Sequence, residues 1–102
     1  MTSHKLKLFL LTKDADSDLD EIFDYSEAEF GFNKAVKYLS DFENLFEQLV
    51  KNPNLGRERN EIKKGIYSII ENEHIVFYEI HENHILIARV LHGRKDIPKF
   101  IK

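Results

Sequence analysis

The spacing of apolar residues changes once along this 102-residue chain, and that change restricts the fold more than any other feature. From Ala15 to Leu49 apolar residues return at three- to five-residue steps, which keeps them on one side of a helix. From Gly65 onward they alternate in the runs GIYSIIE, HIVFYEI and HILIARVL, whose β-branched and aromatic side chains suit strands. Short polar turns around Asn72 and Asn83 separate these runs, so they are predicted to form a three-strand antiparallel meander.

Local signals divide the helical half in two. Thr12 can cap a first helix, because its hydroxyl accepts from a free N–H group of the opening turn. Asp14, Asp16 and Asp18 then set negative charge near the positive end of the helix dipole. Ala15, Leu19, Ile22, Ser26 and Phe30 form the apolar stripe, and Gly31 supplies the backbone conformation that ends it. A second helix follows at once, with Ala35, Tyr38, Leu39, Phe42, Leu45, Phe46 and Leu49 on its apolar side. Lys37, Ser40, Glu43, Glu47 and Lys51 face the other way, and Asn52-Pro53 stops the helix. So short a connection predicts an antiparallel helical hairpin. Ahead of it, Lys5 to Leu11 reads as a strand with Leu6, Leu8 and Leu10 on one face, and NPNLGRERNEIKK reads as a loop. The expected class is α+β, a single βααβββ domain over residues 1–102 whose antiparallel-meander sheet is covered on one face by the hairpin.

Composition narrows the chemistry. Hydrophobic residues make up 42% and charged ones 32%, as in an ordinary globular domain. With no cysteine there is no disulfide and no thiolate metal site. The apolar runs fall far short of the roughly 20 residues of a membrane span, and the N-terminal run is too short for a signal-peptide core. A cytoplasmic protein without membrane contact is expected. The net charge of −3 is unevenly spread: residues 14–51 hold eleven acids and three bases, and residues 52–102 nine bases and seven acids. A domain that gripped phosphate backbones would be basic overall, so direct sequence-specific binding of nucleic acid is not expected.

Few residues carry reactive potential. A serine nucleophile would have to be Ser68, inside a strand and without the glycine elbow that exposes such a residue. His74, His81, His84 and His92 lie in or beside strands and turns without helical metal-ligand spacing, so no metal or cofactor is expected. The acids of the first helix fit caps and a solvated face. Arg89 stands out, because alternation places it on the face of Ile85, Ile87 and Leu91, where an unpaired charge is costly. Glu79 and Asp18 are its candidate partners. His92, Arg94 and Lys95 follow directly, forming a cationic run at the strand end in which His92 suits a general base and equally a surface hydrogen bond.

These residues also occur in a telling order. Ala15, Asp18, Leu19, Ile22 and Tyr25 come first, then Phe30, Gly31, Ala35 and Tyr38. Phe46, Leu49, Pro53, Gly56 and Arg57 follow, and the set ends in VLHGRxDIP from Val90 to Pro98. Each piece alone is common; the ordered set, covering nearly the whole chain, resembles the ParE branch of the RelE/ParE toxin superfamily. That resemblance implies the toxin of a type II toxin–antitoxin pair with a βααβββ fold. It further implies inhibition of DNA gyrase and neutralisation by a ParD-like antitoxin in a hetero-oligomer. Arg89, His92, Arg94 and Lys95 are the expected gyrase contacts. Val36, Leu39, Leu45, Ile97 and Phe100 are the expected antitoxin contacts, with core packing the competing reading for the helical three. RelE-like members are instead ribosome-dependent messenger ribonucleases with a strongly basic surface and, in many, a C-terminal tyrosine. Here the chain is acidic and no tyrosine follows Tyr78, which favours gyrase. His92 and Arg94 keep the nuclease alternative open, as does a third reading in which the fold only binds its antitoxin.

Overall fold

The computed structural model describes residues 8–93. Strand β1 (Leu8–Leu11) leads into helix α1 (Lys13–Phe30) and helix α2 (Phe32–Lys51). A 3-10 turn (Pro53–Leu55) and four strands follow: β2 (Arg57–Glu58), β3 (Ile66–Glu71), β4 (His74–Ile80) and β5 (His84–His92). The sheet order is β1-β5-β4-β3-β2, with β1 parallel to β5 and every other pair antiparallel. This is the expected α+β arrangement, extended by the two-residue edge strand β2 within the stretch read as loop.

Each boundary has a local cause. Thr12 Oγ1 accepts the Ala15 N–H at 3.0 Å and donates to the Ala88 carbonyl at 2.8 Å, so one hydroxyl starts α1 and ties it to β5. Gly31 alone separates the helices; its N–H closes α1 on Glu27 O at 2.9 Å and its carbonyl accepts the Ala35 N–H. Its φ of 94° and ψ of 165° lie in a region essentially reserved for glycine.

Ala15, Leu19 and Ile22 of α1 meet Phe42, Leu45, Phe46 and Leu49 of α2 over Val76, Tyr78, Ile85, Ile87 and Val90 of the sheet. On the far side of the sheet, Ile66, Phe77 and Leu91 make a smaller cluster with Ile62, Ile75 and Ala88. Two expectations need correction. Phe30 is exposed, because the stripe turns out of the core after Ser26 at the hairpin tip. Leu8 and Leu10 of β1 share a face as expected, and it is the exposed one, while Phe9 and Leu11 pack on the core. A bulge in β5 also breaks the alternation: Tyr78 pairs with Ile87 but Phe77 pairs with Arg89, leaving Ala88 as the extra residue. Arg89 therefore does not share one face with Ile85, Ile87 and Leu91; Ile85, Ile87 and Val90 enter the helix-side core and Leu91 the opposite cluster.

The loop before the meander is pinned from beneath. The buried Tyr78 hydroxyl donates to Pro53 O at 2.7 Å and accepts the Gly56 N–H at 2.9 Å. A Cβ on Gly56 would lie 2.6 Å from both Ser68 O and Tyr78 Oη, so only glycine allows the backbone this close.

Candidate functional site

The C-terminal half of β5 is held by one carboxylate. β1 pairs with β5 only as far as Ile87, and beyond it Asp18 of α1 takes over the exposed strand edge. Asp18 Oδ2 accepts the Val90 N–H at 2.9 Å and Arg89 Nε at 2.8 Å, and Oδ1 accepts Arg89 Nη2 at 2.9 Å. Both side chains are largely buried, with 18% of Arg89 and 10% of Asp18 exposed. The hydrogen bonds to Asp18 raise the guanidinium pKa above its ordinary value, so its charge is fixed. Of the two candidate partners, Asp18 is the one found; Glu79 instead meets Lys63 at 3.3 Å and His81 at 2.9 Å.

Beside this pair, α1, α2 and the adjoining ends of β4 and β5 enclose a groove of about 760 Å³. Ile22, Tyr25 and Phe30 line its α1 wall, Lys34, Lys37 and Tyr38 its α2 wall, and His74 and His92 its sheet side. Tyr38 Oη lies 3.1 Å from His74 Nδ1, and the His74 and His92 rings stand edge to face with centroids 5.3 Å apart. His92 Nε2 is 3.4 Å from a Glu73 carboxylate oxygen. Burial, with the neighbouring His92 adding to it, pushes the His74 pKa below the ordinary imidazole value, against the pull of Glu73 and Asp18. Burial also raises the Tyr38 phenol, so Tyr38 is a neutral donor near pH 7. A neutral donor, an imidazole acceptor and a second imidazole thus converge on one groove, as a polar anchor for a bound segment or a pair for proton transfer would require.

The expected contact residues do not all meet here. His92 lines the groove, and Arg89 is bonded to Asp18, which lines it too. Arg94, Lys95, Ile97 and Phe100 lie outside the described residues. Val36 is 44% exposed and available, Leu39 is half-buried against the core, and Leu45 is buried at 6% within it. The Leu45 expectation as a surface contact is therefore corrected: its side chain is spent on the core. Tyr38, Glu73 and His74 have no signature as a group in the sequence, because they come from α2, a turn and β4 and converge only after folding. His81 and His84 stack at the β4–β5 turn, away from the groove. Among the described residues no group of three or more His, Cys, Asp or Glu side chains has metal-binding geometry. No described helix is long and apolar enough to cross a membrane.

The family model described as "ParE toxin of type II toxin-antitoxin system, parDE" matches residues 9–97. Toxin ParE1 of Mycobacterium tuberculosis is 32% identical over 92 residues, covering 89% of this chain and 94% of that protein. Toxin ParE1 of Caulobacter vibrioides is 30% identical over 87 residues, covering 85% and 90%. Among solved structures, a chain of the chromosomal ParDE system from P. aeruginosa superposes with a TM-score of 0.74 at 25% identity, covering 88% of this chain and 98% of that one. The YoeB dimer from Staphylococcus aureus shares the fold at a TM-score of 0.57 and 22% identity, covering 87% and 98%.

Proposed function

The chain belongs to the ParE toxin family of type II toxin–antitoxin systems, and on that premise we propose that it poisons DNA gyrase and is neutralised by a ParD-like antitoxin. The observation that carries this reading is the family match, which runs through the β5 end and the cationic segment after it. Physical chemistry supports it. The chain is acidic, and Lys37, Arg59, Lys63 and Arg89 are each engaged by a carboxylate of the same chain. An RNA-gripping surface needs cations that are not already neutralised. The gyrase contact is the patch Arg89, His92, Arg94 and Lys95, with Arg89 acting by holding the β5 end against α1 rather than by reaching outward.

The antitoxin reading has its own support. Tyr25, Phe30, Phe32 and Val36 are exposed large hydrophobics around the hairpin tip, beside the groove. An apolar tail segment that laid itself along this surface would remove them from water. Ile97 and Phe100 extend the same contact in this proposal. The toxin, with its antitoxin, works in the cytoplasm.

One observation favours a second reading. The Tyr38, His74 and His92 cluster contains the paired acid–base groups that a ribonuclease of this fold would need. A growth test separates the two. Expression of the chain should arrest growth and leave gyrase-linked breaks in plasmid DNA, and Arg94→Ala with Lys95→Ala should relieve both without altering the melting temperature. Arrest that survives this double substitution, or vanishes only with His74→Gln, contradicts the patch.

A further inference from the structure

Two helices cover one face of the sheet, and an antiparallel sheet commonly leaves its other face to water. Here the centre of that second face is dry: Phe77 is 0% exposed, Ile66 1% and Leu91 2%. Of the described residues in this cluster, Ile66, Ile75, Phe77, Ala88 and Leu91 belong to the sheet itself, and Ile62 comes from the loop before β3. Neighbours within a sheet stand side by side, so a ring on a middle strand loses its last water only beneath a second layer. Ile62 and Arg59, which bonds Ser68 Oγ at 3.1 Å, give that layer over β3. Leu91 lies two strands away, on the part of β5 that β1 does not reach. We propose that the C-terminal segment, residues 94–102, is a strap across this face, with Ile97, Phe100 and Ile101 seated over Leu91 and Phe77.

Position, reach and composition single out that segment. Burial of the strip is complete within one chain, so its cover belongs to the chain itself. Residues 1–7 enter at the opposite end of β5, where Leu8 pairs with His84, and bring only Met1 and Leu6 as large apolar side chains. The C-terminal segment begins beside the strip: Gly93, two residues after Leu91, donates its N–H to Glu73 O at 3.1 Å. Ile70, on the same face, stays 73% exposed, so the dry strip runs diagonally from Leu91 through Phe77 to Ile66. That strip spans about 16 Å, from the spacing of strands and of residues along them. Nine extended residues reach about 30 Å. The segment's three large apolar side chains can turn inward while Arg94, Lys95, Lys99 and Lys102 keep to water.

The consequence rests on the gyrase and antitoxin reading, although the strap itself does not. Ile97 comes three residues after Arg94, so seating it holds Arg94 and Lys95 in a short bridge at the rim of the sheet. The strap thereby positions the proposed gyrase patch. An antitoxin that takes hold of Ile97 and Phe100 must draw them from Leu91 and Phe77, and it carries Arg94 and Lys95 away with them.

Nuclear Overhauser contacts in the full free chain, with thermal melts beside them, test the seat. The Phe100 ring and the Ile97 methyls should contact the Phe77 and Leu91 side chains. Those contacts should be missing from a filtered spectrum of mixed labelled and unlabelled chains, which shows only contacts between copies. Phe100→Ala should lower the melting temperature by about 5 °C or more, because it empties a buried seat. Tyr25→Ala, at the exposed hairpin tip, should change it little. The contacts are read in the wild-type chain, so they decide the matter even if Phe100→Ala does not fold. No contact between the segment and this face, contacts between copies only, or an unchanged melting temperature in Phe100→Ala would each overturn the strap. Neither measurement involves gyrase or an antitoxin, so failure of the strap and failure of the functional reading are told apart.

Discussion

Asp18 concentrates three hydrogen bonds on one carboxylate, and that makes it the residue on which the β5 end most depends. Removing one member of a largely buried pair strands the other, so Arg89→Ala should lower unfolding free energy by roughly 3–5 kcal/mol in urea melts. Asp18→Asn should cost less, because the amide oxygen can still accept from Val90. An unchanged midpoint for Arg89→Ala would mean that the pair is not holding the strand. Tyr78 makes a similar case on a smaller scale. Tyr78→Phe leaves the Gly56 N–H and the Pro53 carbonyl without their partner, a loss of about 1–3 kcal/mol. Asp18 was legible as a candidate partner of Arg89 because a charge within an apolar strand must find an acid on a neighbouring element. The choice between Asp18 and Glu79 was not legible, because it depends on how α1 is placed over the sheet.

The secondary elements were readable where period and punctuation agree. Gly31, Asn52-Pro53 and the switch near Gly65 mark three boundaries by local backbone chemistry alone. The Gly31 conformation gives a sharp test: Gly31→Ala should destabilise by about 1–3 kcal/mol, because no other residue adopts it without strain. A neutral outcome would mean that the hairpin relaxes around the new side chain. Two features escaped. β2 has two residues, too few for any period, and it exists because Gly56 lets the backbone close on β3. The β5 bulge is equally silent in sequence, yet it decides the site. Continuing the Ile80–Ile85 register without it would set His74 opposite Leu91; with Ala88 extra, His74 pairs with His92. The titratable cluster is thus a product of one irregular residue.

At the scale of the molecule, a helical hairpin over a mostly antiparallel sheet leaves one groove beside the end of β5, and that end leads into the cationic segment. The fold class followed from periodicity, and its family from the ordered motifs ending in VLHGRxDIP. The groove could not be read in the same way, since its walls come from residues far apart in the chain that are ordinary one by one. An acidic domain in which Lys37, Arg59, Lys63 and Arg89 are each paired with a carboxylate of the same chain is suited, on the proposed reading, to a protein target. That claim is best tested with purified components, by incubating the chain with gyrase and supercoiled DNA and, in parallel, with translating ribosomes. DNA trapped in gyrase-linked breaks, with messenger left intact, is the expected result. Messenger cut on the ribosome, with gyrase unaffected, would contradict it.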